Sequence, residues 1–257
     1  MAFYADDKIL GKAMAGNNNS QEKTPDKNES NVTGWFFSQP KVDPVVVNLP
    51  RNTEQTMVII VWNETYSTHG KFRSSIMLIR NIMKAYGHGE FFGMAKKNSI
   101  RCVDGYWSPL HSMGVLSFDN RQQAEYCMDS NTVVKEWCWL GGVEMYILPT
   151  CQPAKCSMTY RFFQMDLYDV KHGSNFVRYL DQMVPLVADH NGLVIAGSQE
   201  LGRWRGTRFP NYILLVQWTC PEDFESFMKI GAPLLRDAGA ACASRVFFEM
   251  DPPANQW

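Results

Sequence analysis

Beyond Gln55 the chain alternates strand-like and helix-like stretches of hydrophobic patterning. The first pass opens with the β-rich run TMVIIVWNETY. From Lys71 to Tyr86, Phe72, Ile76, Ile79 and Met83 then share one helical face, which predicts an amphipathic helix that Gly87 ends. The strand EFFGMAKK follows, then a polar excursion through Asp104, Tyr106 and Trp107, then the strand MGVLSF. Asp119 or Asn120 can cap a second helix running through Tyr126, and VEMYILP reads as a fourth strand.

The order then repeats. RFFQMDLY predicts a strand and Ser174 to about His190 a helix, with Phe176, Tyr179, Leu180, Met183 and Val187 on its apolar face. Asn191 and Gly192 stop that helix, and the stretch VPLVADHNGLVIAG hands over to the next strand. A loop through Trp204 and Arg208, the strand NYILLVQW, a helix opened by Pro221-Glu222 with Phe224 and Phe227, and the strand RVFFEM complete the pass. Gly87 and Gly192, Phe118 and Trp218, and Met145 and Val246 are matching landmarks at a nearly constant separation.

A βαββαβ unit of this kind is the ferredoxin-like plan of a four-stranded antiparallel sheet with two helices on one face. Its open face should alternate with polar residues. Here Ile59, Ile60, Val61 and Trp62, and again Phe162, Phe163, Met165 and Leu167, are apolar on both faces. The two halves are therefore expected to pack sheet against sheet. The fold class expected is α+β: two ferredoxin-like units, 55–150 and 158–252, forming one barrel within the chain after a flexible arm, 1–54. The core of that arm, from about Gly16 to Ser38, is too rich in Asn, Ser and charge to fold alone, while Trp35, Phe36 and Phe37 could dock it.

The second half resembles a known family over Tyr160 to Asp251. Asp166 and Asp169, Phe176-x-x-Tyr179, Pro185-Leu186, His190-Asn191-Gly192, Arg208, Gln217-Trp218 and Pro221-Glu222 follow the pattern of the domain of unknown function 1330 family, within the dimeric α+β-barrel superfamily. The resemblance implies a barrel that other members build from two subunits, so a fused chain could be a monomer or a homodimer. It also implies losses. Asn191 stands for a glycine, Gln217-Trp218 for a Glu-Phe pair, and a basic residue near Asn211 and Tyr212 is missing, which removes side chains any shared catalysis would use.

Composition narrows the classes. Twenty-five basic and 26 acidic residues give a formal charge of −1, which offers no bulk attraction to DNA or an anionic membrane. Without a signal-like start or a long apolar run, the chain is expected to be soluble and cytoplasmic. The sequons at Asn18, Asn28, Asn31 and Asn63 then carry no sugar, and the seven cysteines, lacking zinc spacing, are expected as free thiols, with Cys151 and Cys156 the closest pair.

The candidate site residues are His190, Tyr179, Arg203, Arg208, Trp62 and Trp218. His190 can serve as a base, but it also suits the negative end of a helix dipole. Tyr179 lies on an apolar helix face, where its hydroxyl could reach a pocket. Arg203, Arg205 and Arg208, interleaved with Trp204 and Phe209, form a basic aromatic loop suited to an acidic ligand, whereas the corresponding excursion with Trp107 and His111 lacks arginines. Trp62 and Trp218 are expected between the sheets. His69, Lys71 and His88 are scattered, and neither a metal cluster nor a cofactor motif is present, so no cofactor is expected. The expected function is binding of a small apolar ligand, or a scaffold role. A cofactor-independent monooxygenase or isomerase and an RNA-binding module are the alternatives, the last lacking the aromatic motif of ferredoxin-like RNA binders.

Overall fold

Strands apolar on both faces need two covers, and the computed structural model, which describes residues 45–65, 68–155 and 158–251, supplies both. The first half runs β1 (Thr56–Asn63), α1 (Thr68–Ala85), β2 (Glu90–Ala95), β3 (Arg101–Gly105), β4 (His111–Phe118), α2 (Arg121–Asp129), α3 (Asn131–Glu136) and β5 (Glu144–Pro149). The second runs β6 (Phe162–Val170), α4 (Gly173–Asp189), β7 (Gly192–Ser198), β8 (Gly202–Arg205), β9 (Tyr212–Trp218), α5 (Pro221–Leu234) and β10 (Ala240–Asp251). Within the halves the strands lie in the orders β5-β1-β4-β2 and β10-β6-β9-β7, the ferredoxin-like arrangement twice over. The expected α+β barrel class is the one observed.

Two seams join the halves into a nearly closed antiparallel barrel. At one, Met250 and Asp251 of β10 pair with Ala95 and Met94 of β2. At the other, the backbone N–H of Cys151, just beyond β5, donates to the carbonyl of Ile195 in β7 at 2.8 Å. The excursions expected to be loops each contain a short strand that crosses over: β3 pairs with β10, and β8 with β5. Each half thus extends the last strand of the other, covering edge groups that would otherwise stay unpaired. Residues 45–50, assigned from sequence to the arm, run along β7, with Leu49 N–H donating to Gly197 and Val47 buried. An apolar segment of that kind stabilises the fold more in contact than in water. The Asn-rich stretch and Trp35 to Phe37 lie outside the described residues.

Strand parity divides the core. Met57, Ile59, Val61, Met113, Val115, Tyr146, Leu148, Phe163, Met165, Leu167, Ile213, Leu215, Phe248 and Met250 face inward and fill the barrel. The alternate residues face the helices: Val58, Ile60 and Trp62 pack on Phe72, Ile76, Ile79 and Met83 of α1, and Trp218 packs with Phe224 and Phe227 of α5. Trp62 and Trp218 are therefore on the opposite face from the one expected. Because both faces were apolar, composition alone did not say which was inward.

The local stops behave as their residues require. Asn191 takes a left-handed φ of 59°, which asparagine tolerates better than most residues, so the missing glycine costs the turn little. Pro185 does not break α4; it sits exposed on the outer face, where water can satisfy the carbonyl it leaves unpaired. Asn120 caps α2 by accepting from the N–H of Gln123 at 3.0 Å, and Ser130 ends α2 and starts α3. No helix among the described residues is long and apolar enough to cross a membrane.

One ion pair is buried on the helix side of the second half. Arg245 of β10 lies opposite Asp166 of β6 in the sheet register and donates to both carboxylate oxygens at 2.9 Å. Tyr168 and Gln164, on the same strand face, donate to Oδ2 of Asp166 at 2.7 and 2.9 Å, and Arg245 also donates to the Tyr168 hydroxyl at 2.8 Å. Charges so far from water are tolerable only when this fully bonded. Replacing Arg245 with methionine leaves Asp166 buried and unpaired, for an expected loss of about 3–5 kcal/mol in urea unfolding. The double variant Asp166→Leu/Arg245→Met should recover most of that loss. A single variant as stable as the parent contradicts this account.

Candidate functional site

A second polar group occupies one mouth of the barrel, built from residues of both halves. Glu144 opens β5 and shares the inward parity of Tyr146 and Leu148; His111 opens β4 and shares that of Met113 and Val115. Asn63 and Val61 of β1 hold these two strand starts in register, pairing with His111 and Glu144. Trp107 enters from the β3–β4 connection, and Thr207 and Arg208 from the β8–β9 connection. Gly206 lets the latter approach: at its φ of 126°, a Cβ would stand 2.9 Å from Cγ of Glu144.

The buried Glu144 carboxylate is well served. The Tyr146 hydroxyl donates to Oε2 at 2.9 Å, Thr207 reaches Oε1 at 3.5 Å, and the Arg208 guanidinium lies 3.4 Å from the same oxygen. Arg208 also meets Nδ1 of His111 at 3.0 Å. A guanidinium cannot accept, so Nδ1 is the acceptor and the ring proton resides on Nε2. Burial, and next the Arg208 charge, lower the His111 pKa from 6.5, against a smaller upward pull from Glu144. The imidazole is neutral at pH 7.

Two donors in this mouth are unused. Arg208 stacks over the Trp107 ring, its Cζ 4.4 Å from the centroid, and Trp107 in turn meets His111 edge-on at 5.3 Å. Nη1 of Arg208 and Nε1 of Trp107 are both sealed from solvent without a hydrogen-bond partner among the described residues. Other orphaned atoms lie on Trp62, Arg73 and Trp139, around the start of α1, and on Tyr212 of β9. At the mouth, two orphans fall on side chains in direct contact. An unmade hydrogen bond at a buried donor costs about 1–3 kcal/mol, so the pair marks a place where an acceptor would be held.

The residues selected from sequence are dispersed. Arg208 belongs to the mouth, beside Trp107 and His111 of the excursion that lacks arginines, so the two loops build one site rather than two unequal ones. Arg203 lies on β8, and its side chain is outside the described residues. Tyr179 is buried under α4, its hydroxyl 3.3 Å from that of Tyr168 beside the Asp166 pair, and burial raises its pKa. His190 caps α4, Nδ1 donating to the Leu186 carbonyl at 2.9 Å. It stands about 16 Å along the helix from Tyr179, at 1.5 Å per residue. Trp62 stacks on Phe72 at 4.2 Å, and Trp218 donates to Gln164 at 3.2 Å, both outside the barrel.

Sequence reasoning missed Glu144, Tyr146 and Thr207. A usable signal was present in VEMYILP, where Glu144 and Tyr146 share the parity of Leu148 in an otherwise apolar strand. Burial raises the thiol pKa values of Cys127 and Cys242 to about 12 and of Cys151 to about 11, which leaves them protonated and unreactive at neutral pH. Among the described residues no group of three or more His, Cys, Asp or Glu side chains could hold a metal ion.

No family model matches the chain, and no curated protein sequence matches it. Solved structures do share its arrangement of elements. A dye-decolorizing protein from V. cholerae is 5% identical, with 78% of this chain and 95% of that one covered at a TM-score of 0.46. A mutant chlorite dismutase from Candidatus Nitrospira defluvii is 8% identical, covering 78% and 92% at 0.45. An anthrone oxidase-like protein is 11% identical, covering 80% and 94% at 0.44. The chain itself is an α+β barrel whose polar mouth stands on its own residues.

Proposed function

We propose that this protein binds a small, largely apolar ligand at the barrel mouth formed by Arg208, Trp107, His111 and Glu144. The pair of buried, unpartnered donors in one stack carries the reading. The barrel interior is filled by its own side chains, so the ligand is taken at the rim rather than in the centre. The residues that resemble the domain of unknown function 1330 family add no second site: Phe176, Tyr179 and Trp218 are core, and His190 ends a helix. RNA binding through an open ferredoxin-like sheet is disfavoured, since barrel packing and helices cover the two faces.

A second reading, a cofactor-independent monooxygenase or isomerase, is favoured by one observation. The imidazole of His111 is neutral, with a carboxylate and a phenol nearby, and its unprotonated Nδ1 becomes available as a general base once Arg208 withdraws from it. His111, rather than His190, is then the group to test.

Native mass spectrometry of the purified protein should detect a retained small molecule, absent from Arg208→Ala and from Trp107→Phe. Equal retention by all three proteins would remove the mouth as the site. The pH dependence has a definite sign. Because folding lowers the His111 pKa, its contribution to stability is complete above pH 6.5 and is lost as pH falls below that value toward the folded-state pKa. The thermal midpoint should therefore fall between pH 7 and pH 5 by more in the parent than in His111→Gln. Parallel profiles would contradict the assignment.

A further inference from the structure

We infer that the ligand of this mouth is a neutral molecule presenting an oxygen acceptor, such as the carbonyl of a ketone or ester, and not a carboxylate. The inference rests on the reading of the mouth as a ligand site, and two features of the cluster carry it.

The first is the hydrogen-bond inventory. Within the cluster, the acceptors already have donors: Oε2 of Glu144 has Tyr146, Oε1 has Thr207 and the Arg208 guanidinium, and Nδ1 of His111 has Nη2 of Arg208. The buried atoms of the cluster left with no partner are both donors, Nη1 of Arg208 and the indole N–H of Trp107. A ligand head that satisfies them supplies lone pairs.

The second is charge. The ionisable groups of the cluster are Glu144 and Tyr146 on β5, His111 on β4 and Arg208 on the β8–β9 connection. The Arg208 charge is balanced by Glu144, the Tyr146 hydroxyl keeps the proton it donates to Glu144, and the imidazole serves as an acceptor. Among the described side chains the cluster therefore has no net charge to offset the desolvation of an anion. A carbonyl oxygen accepts from N–H donors without that cost. Tyr106, Leu110 and Phe209, chain neighbours of Trp107, His111 and Arg208, are exposed apolar residues. Since the two orphaned donors are closed off while the Arg208 side chain remains 21% exposed, entry runs past that guanidinium and requires its loop to part from Trp107.

Acetophenone and benzoate are a matched pair of probes, similar in size and differing chiefly in the charge of the head. The readout is the indole N–H resonance of Trp107, assigned by its absence in Trp107→Phe. In the parent protein at pH 7.5 acetophenone should shift that resonance and bind at least about tenfold more tightly than benzoate. In Glu144→Gln, where the mouth gains a net positive charge, the preference should move toward benzoate. Benzoate binding the parent as tightly as acetophenone overturns the inference while leaving a ligand site in place. If neither probe moves the Trp107 resonance, the inference is overturned as well, and a parent protein carrying no retained mass then removes the ligand site with it. The parent comparison decides the matter even if the Glu144 variant fails to fold.

Discussion

Closure of the sheet across two seams is the constraint on which the rest of this molecule depends. Once Met250 and Asp251 pair with β2, and the chain after β5 bonds to β7, every central strand has one face turned to the barrel interior and the other to helices. That accounts for strands apolar on both sides, and for the crossing of β3 and β8 onto the opposite half. It also creates a mouth. Inward-facing positions at the starts of β4 and β5 lie where the apolar filling ends and polar groups of both halves meet.

Two of the buried polar clusters among the described residues obey opposite rules. Around Asp166 and Arg245 the strong donors and acceptors find partners, even to a contact between Nη1 of Arg245 and the Met228 sulfur at 3.5 Å. Such a network fixes β6 against β10 and offers nothing to a visitor. At the mouth, the carboxylate and the imidazole nitrogen are satisfied while two donors are not. A fold that fills its interior so thoroughly and leaves adjacent N–H groups unpaired in one stack has a local cost, and a bound acceptor is the economical way to offset it.

Much of the architecture was legible in the sequence because helix and strand periods differ and the order of elements recurs. Phe72, Ile76, Ile79 and Met83 announced α1, and Gly87 and Asn191 marked equivalent stops. The inward direction was not legible: with Ile59, Ile60, Val61 and Trp62 all apolar, parity separates two faces but labels neither, and Trp62 and Trp218 turned out to face the helices. The site was half legible. Arg208 stood out through its aromatic company, but its partners Trp107, His111 and Glu144 come from distant parts of the chain that only closure brings together. His190 drew attention by being a histidine at a helix end, and the helix end accounts for its bonds.

The most direct test of this account is a high-resolution crystal structure of the protein as purified, with attention to the environment of Arg208 and Trp107. The account predicts density for a small molecule whose acceptor atom lies within hydrogen-bond distance of Nη1 of Arg208 and Nε1 of Trp107. A mouth in which both donors are satisfied by the protein itself or by ordered water alone would contradict it.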